Sequence, residues 1–191
     1  SEPFNRFSPS KLNQTDVIIH CGWDTKPIKN AGEYIIDAID NFKLIHSIRH
    51  RKFIFISTID VYDKHSNKSQ LESDEIDVRN IVGLYGMSKL IVESMLLKLD
   101  QNAIIIRPSS LIGKYSRGSV TKLKRKQPIS LSKDSVLNFI SYKQVKDFIL
   151  QVIQKNINGI FNLVGTNNIR ISDLFPDAQS LCGQFIYNCG L

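Results

Sequence analysis

The stretch FIFISTIDVY, residues 53–62, followed by YGMSK, residues 85–89, decides the fold that this sequence predicts. The apolar start of the first stretch has the length and composition of a parallel strand buried on both faces. It ends in Ser57 and Thr58. From YGMSK the chain continues as KLIVESMLLKL, which predicts a helix over residues 84–99. A buried strand followed by a helix is the repeating unit of an α/β fold.

The segments on both sides extend this alternation of strands and helices. TDVIIH, residues 15–20, predicts another strand buried on both faces, and apolar residues at helical spacing predict an amphipathic helix over residues 30–46. After the second helix, NAIIIRP, residues 102–108, predicts a third apolar strand that Pro108 stops. The pattern predicts an α/β fold with a Rossmann-like, doubly wound parallel sheet.

Beyond Pro108 the character of the sequence changes. A basic helix is predicted near residues 119–126, and the short apolar pieces SVLNFIS and GIFNLVG predict brief strands with an amphipathic helix between them. We predict that this portion forms a small C-terminal substrate lobe, whose segments alternate along the chain with the last elements of the sheet. We predict a loop or N-terminal extension over residues 1–14, a core over residues 15–165 with inserted lobe elements at about 114–140, and a lobe segment over residues 166–191.

Length and composition set limits on the class of protein. The chain has 191 residues and 42% hydrophobic content, which suits one globular domain with a small lobe. Its apolar runs stay shorter than the roughly 18 residues of a membrane span, so we predict no membrane segment and a cytoplasmic protein. Three cysteines, Cys21, Cys182 and Cys189, lack CxxC spacing and predict free thiols, with neither a disulfide framework nor a zinc site.

The formal net charge of +7 favours anionic partners, and its densest part is KLKRK, residues 122–126. Three interpretations stay open for this segment: a solvated helix face, attraction of a phosphorylated small molecule, or binding of nucleic acid. The last is the least favoured, because the segment has neither interleaved aromatic residues nor a reading helix.

The residues of YGMSK carry a chemical hypothesis of their own. Side chains four apart on a helix are neighbours, so the ammonium of Lys89 can lie beside the phenol of Tyr85 and lower its pKa. Such a tyrosine can act as general acid or base on a hydroxyl or carbonyl. Thr58 or Ser57, at the carboxyl end of the preceding strand, can bind the same oxygen. The alternative is that the Tyr–Lys pair occurs by chance. The position of YGMSK after a strand that ends in Ser-Thr argues against this alternative.

Five motifs in order resemble the extended short-chain dehydrogenases/reductases, the epimerase and dehydratase group that acts mostly on nucleotide-activated sugars. The resemblance covers most of the chain, from about Thr15 to the C-terminal region. The motifs are DVIIHCG, FIFISTIDVY, YGMSK, IIIRPSSLIG, and NGIFNLVG followed by ISDLF.

The resemblance implies a role for each matching residue. Tyr85 is implied as the proton-transferring group, Lys89 as the group that lowers its pKa and binds the nicotinamide ribose, and Thr58, with Ser57 as the alternative, as the group that polarises the substrate oxygen. The implied cofactor is NAD or NADP, lined by His20, Cys21, Gly22, Tyr85, Lys89, Pro108 and Ser109. For His20, a polar cap at the strand end is an equal alternative. The implied substrate contacts are Asp60, Ser110, Lys122, Lys124 and Arg125.

The resemblance also implies partners. The substrate is a sugar, expected to be nucleotide-activated, and helices 30–46 and 84–99 are the pair that builds a homodimer in such proteins. One of the two acidic residues that a sugar dehydratase uses after the threonine is present, as Asp60 after Ile59. Oxidoreduction or epimerisation is therefore expected ahead of dehydration. The resemblance implies no metal.

One motif of the family is missing from the sequence. The GxxGxxG turn that holds the cofactor pyrophosphate does not occur in the 191 residues. We expect that the chain begins about three strands into the fold, with roughly 50 residues absent, and that strand 15–20 has a bare edge. The rival hypothesis is a cofactor-deficient fragment, or a non-catalytic binding or scaffold protein of the same fold.

Overall fold

The computed structural model describes residues 14–23, 30–65 and 68–188. The predicted loop before residue 14 and Cys189 lie outside the described residues. The elements in chain order are β1 (Gln14–His20), α1 (Ala31–His46), β2 (Arg49–Ile56), α2 (Gly83–Leu99), β3 (Ile104–Pro108), β4 (Ser110–Ile112), α3 (Ser119–Lys124), β5 (Ile129–Leu131), β6 (Val136–Ser141), α4 (Tyr142–Gln154), β7 (Gly159–Leu163), β8 (Asn168–Arg170), α5 (Ile171–Leu174) and β9 (Cys182–Phe185).

The main sheet is parallel and has the strand order β1-β2-β3-β7. Its centre is an isoleucine ladder in which Ile54 of β2 pairs with Ile104 of β3, and Ile106 pairs with Phe161 of β7. Helices α1, α2 and α4 connect consecutive strands, as parallel pairing requires. The predicted α/β fold with a parallel sheet is therefore confirmed.

Helices cover both faces of this sheet. On one face, Phe53 and Phe55 of β2 pack with Phe42 of α1 and with Val92 and Leu96 of α2. On the opposite face, alternate residues of β2 and β3 pack against Val152 of α4. The two clusters follow from the period of two along a strand, which sends successive side chains to opposite faces.

Strand β1 differs from its prediction. It was predicted to be buried on both faces, yet Ile19 is 46% exposed, while Ile18 and His20 are buried. Ile18 joins the cluster under α1 and α2, but α4 lies over the middle of the sheet, on Ile54 and its neighbours. The prediction is wrong because β1 is an edge strand among the described residues, where its second face has little cover.

The segment of residues 63–80 is rich in polar residues, yet Lys64 within it is buried. Its Nζ donates to the carbonyl oxygen of Ile59 at 2.5 Å and lies 3.3 Å from Oδ1 of Asp60. A lysine can be buried when its charge is paired and its hydrogen bonds are made.

After β3, the smaller elements form two further sheets. One has the order β4-β6-β8, and the other pairs β5 with β9. Leu123 of α3, Leu137 of β6 and Ile171 of α5 share an apolar cluster there. The boundaries predicted for the substrate lobe stay a prediction. Among the described helices, none has the length and apolar character needed to span a bilayer.

Gly86 fixes how closely α2 approaches the turn that follows β2. A Cβ atom built at this position would lie 2.3 Å from the carbonyl oxygen of Asp60, a distance that real Cβ atoms do not reach. Only glycine therefore allows α2 to pack at this distance, since every other residue carries a Cβ. This contact holds Tyr85 against the residues that follow β2.

Candidate active site

The carboxyl ends of β1, β2 and β3 meet at a cleft of about 680 Å³. Open parallel sheets bind ligands at this edge, because the loops that leave the strands diverge there. Most of the residues that the sequence predicts for the site line the cleft. They are Cys21, Ser57, Thr58, Asp60, Tyr85, Lys89, Pro108, Ser109 and Ser110.

Five predicted residues are not among those that line the cleft. Lys122, Lys124 and Arg125 are exposed on or just after α3, so the structure does not bring the KLKRK charges to the cleft wall. His20 lies behind it, with its ring near those of Trp23, Phe53 and Phe55. Burial, followed by the nearby charge of Lys89, lowers the pKa of His20 to about 4. Gly22 is also outside the lining.

The lining residues that the sequence did not predict include Trp23, Arg117, Tyr142 and Tyr187. Trp23 follows the turn after β1, and an aromatic residue directly after a strand end was a usable signal. Arg117 precedes α3, only five residues before the basic run on which the sequence analysis placed the charge. Nothing in the local sequence marks Tyr142 or Tyr187, which the smaller sheets bring to the cleft.

Thr58 is held in one orientation at the end of β2. Its Oγ1 accepts a hydrogen bond from the backbone N–H of Asp60 at 3.1 Å, which caps the 3₁₀ turn of residues 59–61. The hydroxyl proton remains available to a second partner. A side-chain hydrogen bond links Thr58 to Tyr85. The two hydroxyls therefore converge on one point of the cleft.

Tyr85 has a pKa above its ordinary value, which corrects the predicted direction. Burial is the main cause, because it disfavours the phenolate, and the charges of Asp60 and Tyr34 add to it. The hydrogen bond from Thr58 opposes the rise. In this arrangement Tyr85 is a protonated phenol at neutral pH, ready to donate a proton.

Lys89 lies close to Tyr85 but points elsewhere. Its Nζ donates to the carbonyl oxygen of Ile56 at 2.6 Å, and it sits 4.0 Å from the ring centroid of Trp23 and 5.8 Å from that of Tyr85. Burial lowers the pKa of Lys89 to about 7, against the opposing charges of Glu93 and Cys21. The predicted lowering of the Tyr85 pKa by Lys89 is absent here, because the buried amine carries only part of its charge at neutral pH.

Two buried hydroxyls in the cleft wall have no hydrogen-bond partner in the described part of the chain. They are Oγ of Ser57, after β2, and Oγ of Ser109, after β3. Their backbone N–H groups continue the sheet, bonding to Ile106 and Leu163. A buried polar group without a partner costs about 1–3 kcal/mol, so such pairs mark places where a ligand can bind.

Comparison with known proteins places this cleft in a family. The sequence model of the NAD dependent epimerase/dehydratase family matches residues 7–163. The chain belongs to this family. The match includes β1, β2, α2, β3 and β7, and so the elements that carry the residues around Tyr85. No curated protein sequence matches the chain.

Solved structures with the same fold include three nucleotide-sugar enzymes. UDP-glucuronic acid 4-epimerase from Bacillus cereus, in complex with NAD, superposes with a TM-score of 0.77 at 19% identity, covering 98% of this chain and 69% of that one. UDP-N-acetylglucosamine 4-epimerase from Methanobrevibacter ruminantium M1 gives a TM-score of 0.76 at 16% identity, with the same coverages. dTDP-4-dehydrorhamnose reductase from Bacillus anthracis str. Ames, in complex with NADP, gives 0.70 at 20% identity, covering 95% and 70%.

The pKa of Lys89 predicts how the stability of this epimerase/dehydratase family member depends on pH. The folded amine has a pKa of about 7, against 10.5 in the unfolded chain. Between these values the unfolded chain binds more protons, so stability rises as pH rises. We expect the free energy of unfolding of the wild type, relative to Lys89→Met, to increase by about 3 kcal/mol between about pH 7 and about pH 9.5.

Urea unfolding at several pH values, followed by the fluorescence of Trp23, measures this difference. Trp23 is the single tryptophan of the chain. The control is Lys98→Met, which removes an exposed lysine from the same helix. The difference in unfolding free energy between the wild type and this variant should not change with pH. A flat difference for Lys89→Met as well would show that Lys89 keeps its ordinary pKa in the folded chain.

Proposed function

We propose that the chain forms the catalytic part of an NAD- or NADP-dependent oxidoreductase or epimerase that acts on a sugar, expected to be nucleotide-activated. The observation that carries this proposal is the convergence of the Tyr85 and Thr58 hydroxyls beside Lys89 in one cleft. Membership of the NAD dependent epimerase/dehydratase family supports it. The nucleotide-sugar enzymes that share the fold support the substrate class.

The cleft wall fits the nicotinamide end of such a cofactor. Ser57 and Ser109 offer buried hydroxyls without partners in the described residues, and these suit the amide and hydroxyl groups of a nicotinamide riboside. The resemblance assigns Lys89 to the ribose, and Cys21 and Pro108 line the same wall. When bound, NAD or NADP would supply an acceptor or donor of hydride. The sequence contains no GxxGxxG turn for the pyrophosphate, so the residues that fit are those of the nicotinamide end.

Tyr85 and Thr58 supply the proton chemistry in this proposal. Oxidation of a sugar hydroxyl would break its O–H bond and the C–H bond of the same carbon: the proton would pass to Tyr85 in its phenolate form, and the hydride would be accepted by the bound NAD or NADP. In the reverse direction the Tyr85 phenol returns that proton to the carbonyl oxygen. Thr58 donates its hydroxyl proton to the same oxygen, since the hydrogen bond from the N–H of Asp60 uses one lone pair of Oγ1 and leaves that proton free. General acid–base catalysis of this kind contributes about 10²–10⁴-fold to a rate.

Lys89 links this chemistry to pH. Its pKa of about 7 means that its charge changes within the physiological range. The raised pKa of Tyr85 favours the proton-donating direction, which is the half of an epimerisation that returns the proton to the carbonyl oxygen.

The substrate end of the cleft has a polar and aromatic wall. Its volume of about 680 Å³ lies within the range of about 300–1,000 Å³ that is common for small-molecule sites. Asp60 and Ser110 contribute to the wall, as predicted for sugar contacts, and Arg117 is a cation that lines the cleft. We propose Arg117 as a phosphate contact, with Lys122, Lys124 and Arg125 adding to the positive field from outside the wall.

Two finer points belong to the same proposal. Helices α1 and α2 pack side by side through Phe42, Val92 and Leu96, and we propose their outer surfaces as the homodimer interface. Ile36 of α1 and Leu97 of α2 are exposed apolar residues on these helices. We also propose a cytoplasmic location, since Cys21 and Cys182 are free thiols.

Cofactor binding and turnover test the proposal in sequence. We expect the melting temperature to rise with NAD(H) or NADP(H), and nuclear magnetic resonance to show conversion of at least one sugar in a panel of UDP- and dTDP-sugars. If the chain is folded and millimolar cofactor does not change its melting temperature, the proposal that this chain is an enzyme is rejected. A shift with the nucleotide sugar alone would then favour the binding-protein alternative.

A further inference from the structure

Three potential metal ligands meet at the end of the sheet opposite the cleft. His46 is the last residue of α1, His50 is the second residue of β2, and Asp100 follows α2. One ligating atom from each lies within 4.8 Å of the others. From His50 to Ser57, at the cleft, β2 rises about 23 Å, at roughly 3.3 Å per residue. The cluster is therefore separate from the candidate active site.

The tautomer of His50 is fixed by the backbone. Its Nδ1 lies 2.6 Å from the carbonyl oxygen of Ile48. A carbonyl oxygen can only accept, so Nδ1 carries a proton, and in the neutral ring Nε2 then presents its lone pair. Metal-bound histidines are commonly held in this way, with the second ring nitrogen donating to a backbone carbonyl. Nε2 of His50 points toward Asp100, at 3.6 Å from Oδ2.

His46 contributes a buried nitrogen that has no hydrogen-bond partner among the described residues. Its Nε2 is shielded from solvent and makes no hydrogen bond to any described residue. The ring is packed between those of Phe42 and Phe53 and lies 5.1 Å from the ring of His50, centroid to centroid. This packing fixes the ring plane. A buried ring nitrogen without a partner is costly unless something else binds it.

Asp100 is held by its own turn. Oδ1 accepts from the backbone N–H of Asn102 at 2.8 Å, which leaves Oδ2 facing His50. The side chains of His50 and Asp100 are 10% and 17% exposed, so the pair is largely shielded yet still reached by water. Each of the three ligands is thus oriented by neighbours that do not compete for the ligating atom.

We propose that His46, His50 and Asp100 bind one Zn²⁺ ion. Two imidazoles and a carboxylate suit zinc and poorly suit Mg²⁺ or Ca²⁺, which prefer oxygen ligands. In a tetrahedral site with bonds of about 2.0–2.2 Å, neighbouring ligand atoms are about 3.3 Å apart. The His50–Asp100 distance is already close to this value, and the widest pair needs to close by at most about 1.5 Å. A water molecule completes the fourth position.

The ion ties the turn between α1 and β2 to the end of α2, which is about 50 residues further along the chain. It joins the end of α1, the start of β2 and the end of α2, at the face where Ile48 and Phe53 begin the core. Cysteine spacing predicted no zinc site, and this site uses no cysteine. Binding to the folded chain alone makes zinc a stabiliser, and its effect grows with the ratio of free ion to Kd.

Titration of the full chain, stripped of metal with a chelator, tests the site. We expect Zn²⁺ to bind as a single saturable equivalent and to raise the melting temperature by about 5 °C or more at a hundredfold excess over Kd. Co²⁺, used as a spectroscopic probe, should give the intense visible bands of tetrahedral coordination. Mg²⁺ should produce neither effect.

Matched variants decide where the ion binds. His46→Gln and Asp100→Asn should both fail to bind one saturable equivalent of Zn²⁺ and should show no tetrahedral Co²⁺ bands. His65→Gln and Cys21→Ser should bind both ions as the wild type does. Asp100→Asn retains the acceptor for the N–H of Asn102, so it preserves the turn and remains informative if His46→Gln fails to fold. The proposal is overturned if the wild type binds no saturable equivalent, or if Asp100→Asn binds zinc and cobalt as the wild type does.

Discussion

Replacing Arg107 with methionine is expected to lower the free energy of unfolding by about 3–5 kcal/mol. Arg107 and Glu93 form an ion pair between β3 and α2, and both side chains are at most 3% exposed. Nε and Nη2 of Arg107 donate to the Glu93 carboxylate at 2.6–3.2 Å, and Nη1 donates to Oη of Tyr62 at 2.6 Å. Removing the guanidinium leaves the buried Glu93 carboxylate without its hydrogen-bonded ion-pair partner.

Urea unfolding at pH 7 measures this loss of unfolding free energy. Two further variants test its cause. Glu93→Met combined with Arg107→Met removes both charges and should cost much less than Arg107→Met alone, because no unpaired charge remains. Arg79→Met removes one partner of an exposed ion pair with Asp77 and should leave the unfolding curve nearly unchanged. Equal losses in the single and double variants would contradict the assigned cause.

Replacing Tyr85 with phenylalanine is expected to lower kcat by at least about a hundredfold. The change removes only the hydroxyl that meets Thr58 at the cleft, so the ring keeps its packing against the neighbouring residues. The proton then has no donor or acceptor at the reacting oxygen. The measurement is the initial rate with the nucleotide sugar that the panel identifies.

The controls separate chemistry from folding and from binding. Tyr115→Phe makes the same change at a residue that is 77% exposed and should keep the wild-type rate. The cofactor-induced rise in melting temperature should persist in Tyr85→Phe, since the change leaves the cofactor contacts proposed for Ser57, Ser109 and Lys89 in place. A wild-type rate in Tyr85→Phe would refute its role as general acid and base, while leaving the cofactor proposal standing.

The main sheet could be predicted because its signals are local. Apolar runs of strand length alternate with helical periodicity, and each predicted strand overlaps a strand of the sheet. Residues 15–20 lie in β1, the strand predicted to end at Thr58 is β2, which ends at Ile56, and the strand predicted over 102–108 is β3, which begins at Ile104. The spacing of Tyr85 and Lys89 placed both on one helix face for the same reason. The exposed face of β1 could not be predicted, because cover over an edge strand depends on where α4 packs.

The sequence predicted which residues line the site better than it predicted their pKa values. Thr58, Tyr85 and Lys89 line one cleft, as their motifs indicated. The sequence predicted a lowered pKa for Tyr85, since it showed a lysine four residues away but not the burial that raises that pKa and lowers that of Lys89. It also placed the substrate cations on α3, whereas Arg117, just before that helix, lines the cleft.

The sequence by itself determined the order of strands and helices, the family resemblance and the Tyr–Lys pair, because each depends on residues that are neighbours along the chain. Tertiary structure alone decided the pairing of Glu93 with Arg107, the meeting of His46 and His50 with Asp100, and the charge state of Lys89. These depend on burial and on contacts between residues far apart in sequence. YGMSK therefore carries the proposed chemistry, and the packing around Lys89 lowers the pKa of its amine to about 7.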